Sequence, residues 1–172
     1  PDRMRHGYGL TKAAAEECLA TCREEWARMP VKEQGGSHAA KTAPRRARAA
    51  RSSEPPILFI ALDCGSASVD VIAELGMQGI DCIVVDHHQP PDLGGAVHPA
   101  AAHLNPRAWE GDAPDLVALR MLSASGLAFC LCAELARDLQ VEQWDRAAGL
   151  VLAGLGTVAD VVPLTGLNRV LV

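Results

Sequence analysis

The chain has 172 residues, 49% of them apolar but only six aromatic (three Trp, two Phe, one Tyr), and a formal net charge of −5. That length supports one domain with a core packed from Ala, Val, Leu and Ile, which suits an α/β fold better than an aromatic-rich sandwich. No signal-peptide pattern and no run of about 18 apolar residues argues for export or a membrane span, so a cytoplasmic protein is expected.

The chain starts at Pro1 and reads as part of a longer protein. Its six cysteines, at positions 18, 22, 64, 82, 130 and 132, form no Cys-x-x-Cys pair and no zinc-site ladder. Cys130 and Cys132 sit in an apolar run and read as small core residues. A reducing compartment follows.

Residues 11–29 predict a helix, with Thr11 as N-cap, Ala14, Cys18, Cys22 and Trp26 at helical spacing, and Pro30 as its stop. Residues 31–56 are rich in Gly, Pro, Ser, Ala and Arg and lack an amphipathic period, which predicts a flexible insertion. Lys32, Lys41, Arg45, Arg46, Arg48 and Arg51 against Glu33 and Glu54 make it basic within an acidic chain. It is either a solvated linker or a surface for phosphates.

The segment ILFIALD (57–63) is an apolar run ending in Asp, as in a buried parallel strand. Residues 67–77 suit a short helix, and IDCIVVD (80–86) is a second apolar run ending in Asp. Together they predict a βαβ unit with a right-handed crossover. Residues 89–114 read as loop with a short strand at 101–104, and residues 115–140 and 142–156 carry helical patterns, including one helix over 123–140. The expected fold is α/β, a mostly parallel sheet flanked by helices.

In open parallel sheets ligands bind beyond the carboxyl ends of the strands, so Asp63 and Asp86 point into a shared crevice. His87 and His88 follow Asp86 directly. Asp160 lies among small and apolar residues, where a carboxylate needs a partner: a metal ion, a helix cap role, or an ion pair with Arg169. Mixed carboxylate and imidazole donors suit Mn²⁺ and, less exclusively, Mg²⁺ or Zn²⁺.

VVDHHQP resembles the signature of the DHH phosphoesterases. LDCGSAS resembles that family's second motif, and GTVADVVPLTGLNR its fourth motif as found in the RecJ-type exonucleases. PDRMRHGYGL resembles the RecJ segment that follows the first motif, and HLNP (103–106) and SASGLAF (123–129) resemble the segments between the third and fourth motifs. The matches stand in family order and span nearly the whole chain except about 28–56.

The resemblance implies a metal-dependent 5′-to-3′ exonuclease on single-stranded DNA, acting in repair and recombination with Mn²⁺ (or Mg²⁺), two ions in the complete site. It makes Asp63 a bridging ligand, His87 and Asp160 metal ligands, and His88 a contact to the scissile phosphate. Asp86 either ligates or orients a His from behind it. Ser125 and Gly126 serve either phosphate or close helix packing, and Arg3 and Tyr8 either hold DNA or fix a turn. Residues 1–172 are then a partial DHH catalytic domain. The first motif is expected upstream of Pro1 and the substrate-binding domain downstream, so weak or no activity is expected of these residues alone. Two other readings stand: a DHH enzyme for short oligonucleotides or cyclic dinucleotides, and a non-catalytic nucleic-acid-binding relative.

Overall fold

The computed structural model describes residues 11–28 and 57–172. Residues 11–57 form a unit of their own, in which α1 (Lys12–Arg28) is described. Its N-cap is the expected one, since Thr11 Oγ1 accepts a hydrogen bond from the Ala14 amide (3.2 Å). The expected stop at Pro30, the basic insertion at 31–56, Arg3 and Tyr8 lie outside the described residues.

The second unit holds a three-stranded parallel sheet in the order β1 (Leu58–Leu62), β2 (Asp81–Val85), β3 (Ala102–Leu104). Helix α2 (Val69–Met77) connects β1 to β2, giving the βαβ unit expected from the two apolar runs. The register pairs Leu62 with Val85 and Val85 with Leu104, so the three strands end level with one another. Asp63, Asp86 and Asn105 therefore emerge along one edge.

After β3 come a 3₁₀ turn at Pro106–Ala108 and helices α3 (Pro114–Leu119), α4 (Ala124–Asp138), α5 (Arg146–Ala159) and α6 (Gly166–Leu171). The apolar pattern over 115–140 divides because Ser123 starts a new helix: its hydroxyl accepts from the Gly126 amide (3.2 Å). Val85, Leu122 and Leu127 form the core against which Ile83, Leu104, Leu119, Leu131 and Leu171 pack. The strands, helices and parallel register make the fold α/β, as expected.

Two expectations fail. β1 is not buried on both faces: it is an edge strand, and Leu58, Ile60 and Leu62 on one face are each more than half exposed. A continuous apolar run has the same appearance at an edge as at the centre of a sheet, and only β2, with Val84 and Val85 at 0% exposure, occupies the centre. Cys130 and Cys132 are exposed, because α4 turns Leu127 and Leu131 toward the core; Cys132 lines the cleft between α4 and α5. No described helix is long and apolar enough to cross a membrane.

Candidate metal centre

The site forms where the loops after β1 and β2 meet the end of α5. Asp63 leaves β1 with φ +61°, a left-handed conformation that costs a non-glycine residue free energy and turns its carboxylate toward the end of β2. Gly65, at φ +110°, completes that turn; a Cβ there would stand 3.0 Å from both methyls of Val84.

His87 is buried at 8% exposure, and its Nε2 lies 3.3 Å from Asp63 Oδ1 and 3.4 Å from Asp160 Oδ2. Yet this nitrogen makes no hydrogen bond. A protonated ring would pair there with the two carboxylates, whereas a neutral ring with its proton on Nδ1 presents a lone pair that suits a cation. Cis ligands around an octahedral ion with bonds of about 2.1 Å stand about 3 Å apart, close to the spacing observed. Asp63, His87 and His88 also present ligand atoms within 4.8 Å of one another.

Asp160 comes to this point as the residue that ends α5, its amide donating to the Gly156 carbonyl (2.9 Å). A carboxylate is disfavoured at the negative end of a helix. It is a helix-cap residue, as one local reading had it, but one whose charge faces His87. Val161, next in the chain, is strained at φ +57°, unusual for a β-branched side chain.

Asp86 does something different. Its Oδ1 accepts from the His87 amide (2.8 Å), the His88 amide (3.2 Å) and His88 Nδ1 (2.7 Å), and its Oδ2 accepts from the Ser66 amide (3.0 Å). Burial opposes its ionisation, but the donors from His88 and Ser66 outweigh it and hold its pKa down to about 2. An anionic Asp86 fixes the proton of His88 on Nδ1, which leaves Nε2 of that half-exposed ring as its free nitrogen. Burial raises the pKa of Asp63; His87 and His88 oppose that rise and the Asp160 charge adds to it. Two carboxylates and an imidazole pointed together call for a cation, and O and N donors match Mn²⁺ or Mg²⁺.

A cleft of about 1050 Å³ opens from this cluster between α4 and α5, with Asp63, His88 and Asp160 at one end and Phe129 and Trp144 at the other. Ser125 lines it, its hydroxyl 2.8 Å from that of Ser123. Gly126 does not: its amide is taken by Ser123, and a Cβ on it would lie 3.2 Å from Leu122 and 3.3 Å from Leu171. The structure therefore brings Asp63, Asp86, His87, His88 and Asp160 together, sets Ser125 on the wall of the cleft, and gives Gly126 a packing position.

The family model for the N-terminal domain of the DHH family matches residues 8–155. The chain belongs to the DHH family. Its relatives include the single-stranded-DNA-specific exonucleases RecJ of Thermus thermophilus (37% identical over 118 residues, 67% of this chain and 16% of the relative) and of Bacillus subtilis (29% over 175 residues, 99% and 16%). That of Escherichia coli is 35% identical over 123 residues (66% and 20%). The chain thus spans a fifth or less of the length of these curated relatives. Among solved structures, an exonuclease RecJ bound to manganese superposes with a TM-score of 0.58 at 24% identity, covering 99% of this chain and 32% of that one. RecJ of Thermus thermophilus in complex with Mn²⁺ gives 0.52 at 34% identity, covering 66% and 16%. The DHH triplet that names the family is Asp86-His87-His88 here.

Ser66 and Asn105, both fully buried at this edge, received no role from the sequence. The signals available were their places in LDCGSAS and HLNP, and for Asn105 its position directly before Pro106, where a side chain commonly binds local backbone.

Proposed function

We propose that this chain carries the divalent-metal site of a phosphodiesterase that removes nucleotides from the 5′ end of single-stranded DNA, in the setting of repair and recombination. The observation that carries the reading is the convergence of the Asp63 and Asp160 carboxylates on the buried His87 Nε2, which makes no hydrogen bond. The printed activity of the curated relatives supports the choice of substrate.

Asp63, His87 and Asp160 would hold Mn²⁺ or Mg²⁺. When bound, such an ion acidifies water and stabilises charge on a phosphate. Asp63 also stands 4.0 Å from His88 Nδ1, at the centre of the cluster, and is assigned as the bridging carboxylate of a two-ion site. Two ions would need more donors than Asp63, His87 and Asp160 alone supply. Asp86 fixes the orientation of His88, whose Nε2 is assigned to the phosphate oxygens. Ser125 offers a hydroxyl along the cleft, and Arg3 and Tyr8 are assigned to the DNA strand. Phosphate contacts carry no sequence information, so cutting is sequence-tolerant.

The test is a Mn²⁺-dependent assay on the full-length polypeptide, with 5′- and 3′-labelled single-stranded and duplex DNA. Loss from the 5′ end of single strands, reduced more than about 100-fold in His88→Ala, is expected. Hydrolysis of dinucleotides without DNA degradation would move the protein to another branch of the family. No hydrolysis of either would favour a binding module.

A further inference from the structure

Asn105 and Ser66 are both 0% exposed, yet neither is a donor to the proposed metal. Asn105 Nδ2 donates to the His88 carbonyl (2.8 Å) and to Ser66 Oγ (2.8 Å), and its Oδ1 accepts from the Arg107 amide (3.0 Å). Ser66 Oγ also shares a hydrogen bond with His103 Nε2 (2.9 Å), while the Ser66 amide donates to Asp86 Oδ2. Both protons and the oxygen of the Asn105 amide are thus used.

These bonds join the turns that follow three different strands. Ser66 lies after β1, His88 after β2 and Asn105 directly after β3. Asp86 and His88 lie between two of the fixed points. Holding the His88 carbonyl keeps the amides of His87 and His88 on Asp86 Oδ1, and holding Ser66 keeps its amide on Asp86 Oδ2. Held by these three amides, Asp86 fixes the His88 ring.

We propose that Asn105 is a positioning residue of the metal centre, acting through Ser66 and the His88 carbonyl to set the Asp86–His88 pair. The proposal rests on the reading of Asp63, His87 and Asp160 as the metal ligands. A residue that only filled its cavity and capped the 3₁₀ turn would need its Oδ1 alone, so one substitution separates the two roles. Asn105→Asp keeps the acceptor for Arg107 and the volume of the side chain but sets a carboxylate oxygen against the His88 carbonyl in place of the amide donor, so the charge-free Ser66→Ala is measured beside it.

The experiment uses the full-length polypeptide with ¹⁵N-labelled histidine and no added metal. Wild type is expected to show His88 protonated and hydrogen-bonded at Nδ1. In Asn105→Asp that signal is expected to shift and broaden, and Mn²⁺ dissociation constants followed by electron paramagnetic resonance are expected to rise about tenfold or more. A folded Asn105→Asp with the wild-type His88 signal and wild-type Mn²⁺ affinity would overturn the proposal. Should that variant fail to fold, Ser66→Ala removes the hydroxyl from the same line of bonds while leaving its amide, and the same outcomes decide. Absence of Mn²⁺ binding in wild type, with the His88 signal still responding to Asn105→Asp, would remove the metal reading and leave the positioning of His88 intact.

Discussion

Asp86 spends both carboxylate oxygens on donors from Ser66, His87 and His88. Its pKa of about 2 in the folded chain lies below the ordinary 3.8, so its ionised form is favoured by folding. The stabilisation is fully present above about pH 4 and is lost as the pH falls through about 2, an amount on the order of 2 kcal/mol. Urea unfolding followed from pH 5 to pH 2 should therefore show a steeper loss of stability in wild type than in Asp86→Asn. Equal slopes would mean that the bonds to Ser66 and His88 do not persist in solution. Val161 offers a second check on local strain. It is 86% exposed and sits at φ +57°, so Val161→Gly relieves the backbone and gives up no packing. A gain of about 1 kcal/mol is expected from thermal or denaturant unfolding.

At the scale of elements, the strand ends do most of the assembly. The level register of β1, β2 and β3 brings Asp63, Asp86 and Asn105 to one edge, and the meeting of Asp63 with Asp86 follows from two apolar runs that each end in Asp. The tight turn at Gly65 holds Asp63 and Ser66 on either side of it. Gly65→Ala meets both a left-handed φ and the Val84 methyls, so a loss of more than about 1 kcal/mol is expected, together with weaker Mn²⁺ binding. Other features were not legible. The approach of Asp160 to His87 depends on how α5 packs, which no local period encodes; its apolar surroundings called for a partner, and only the likeness of its motif favoured a metal over a cap or an ion pair. The Asn105–Ser66 bond joins residues 39 apart in sequence and exists only once three strands are in register. The exposed face of β1 could not be foreseen, because Leu58, Ile60 and Leu62 read the same in an edge strand as in a central one. Gly126 had two readings at the sequence level, and its distances to Leu122 and Leu171 speak for packing.

Across the whole described chain, apolar side chains gather on surfaces as well as in the core. Besides one face of the edge strand β1, Val151, Leu152, Leu155 and Val158 of α5 are all more than half exposed. Unpaired edges and apolar faces of this kind promote association between copies. The 172-residue polypeptide is therefore expected to self-associate in light scattering, and Ile60→Lys to reduce that association while leaving the far-ultraviolet circular dichroism unchanged. Monodisperse wild-type particles of monomer mass would contradict this.

The central claim, that His87 with Asp63 and Asp160 holds a divalent cation, is tested most directly by titrating Mn²⁺ into the full-length polypeptide by electron paramagnetic resonance. Wild type and Asp160→Ala would be compared, since Asp160 ends a helix and its loss leaves the core untouched. The account expects Mn²⁺ binding in wild type and affinity weakened beyond the roughly 10- to 100-fold typical of residues that only support a ligand. Equal affinity in Asp160→Ala, or no binding in wild type, would contradict it.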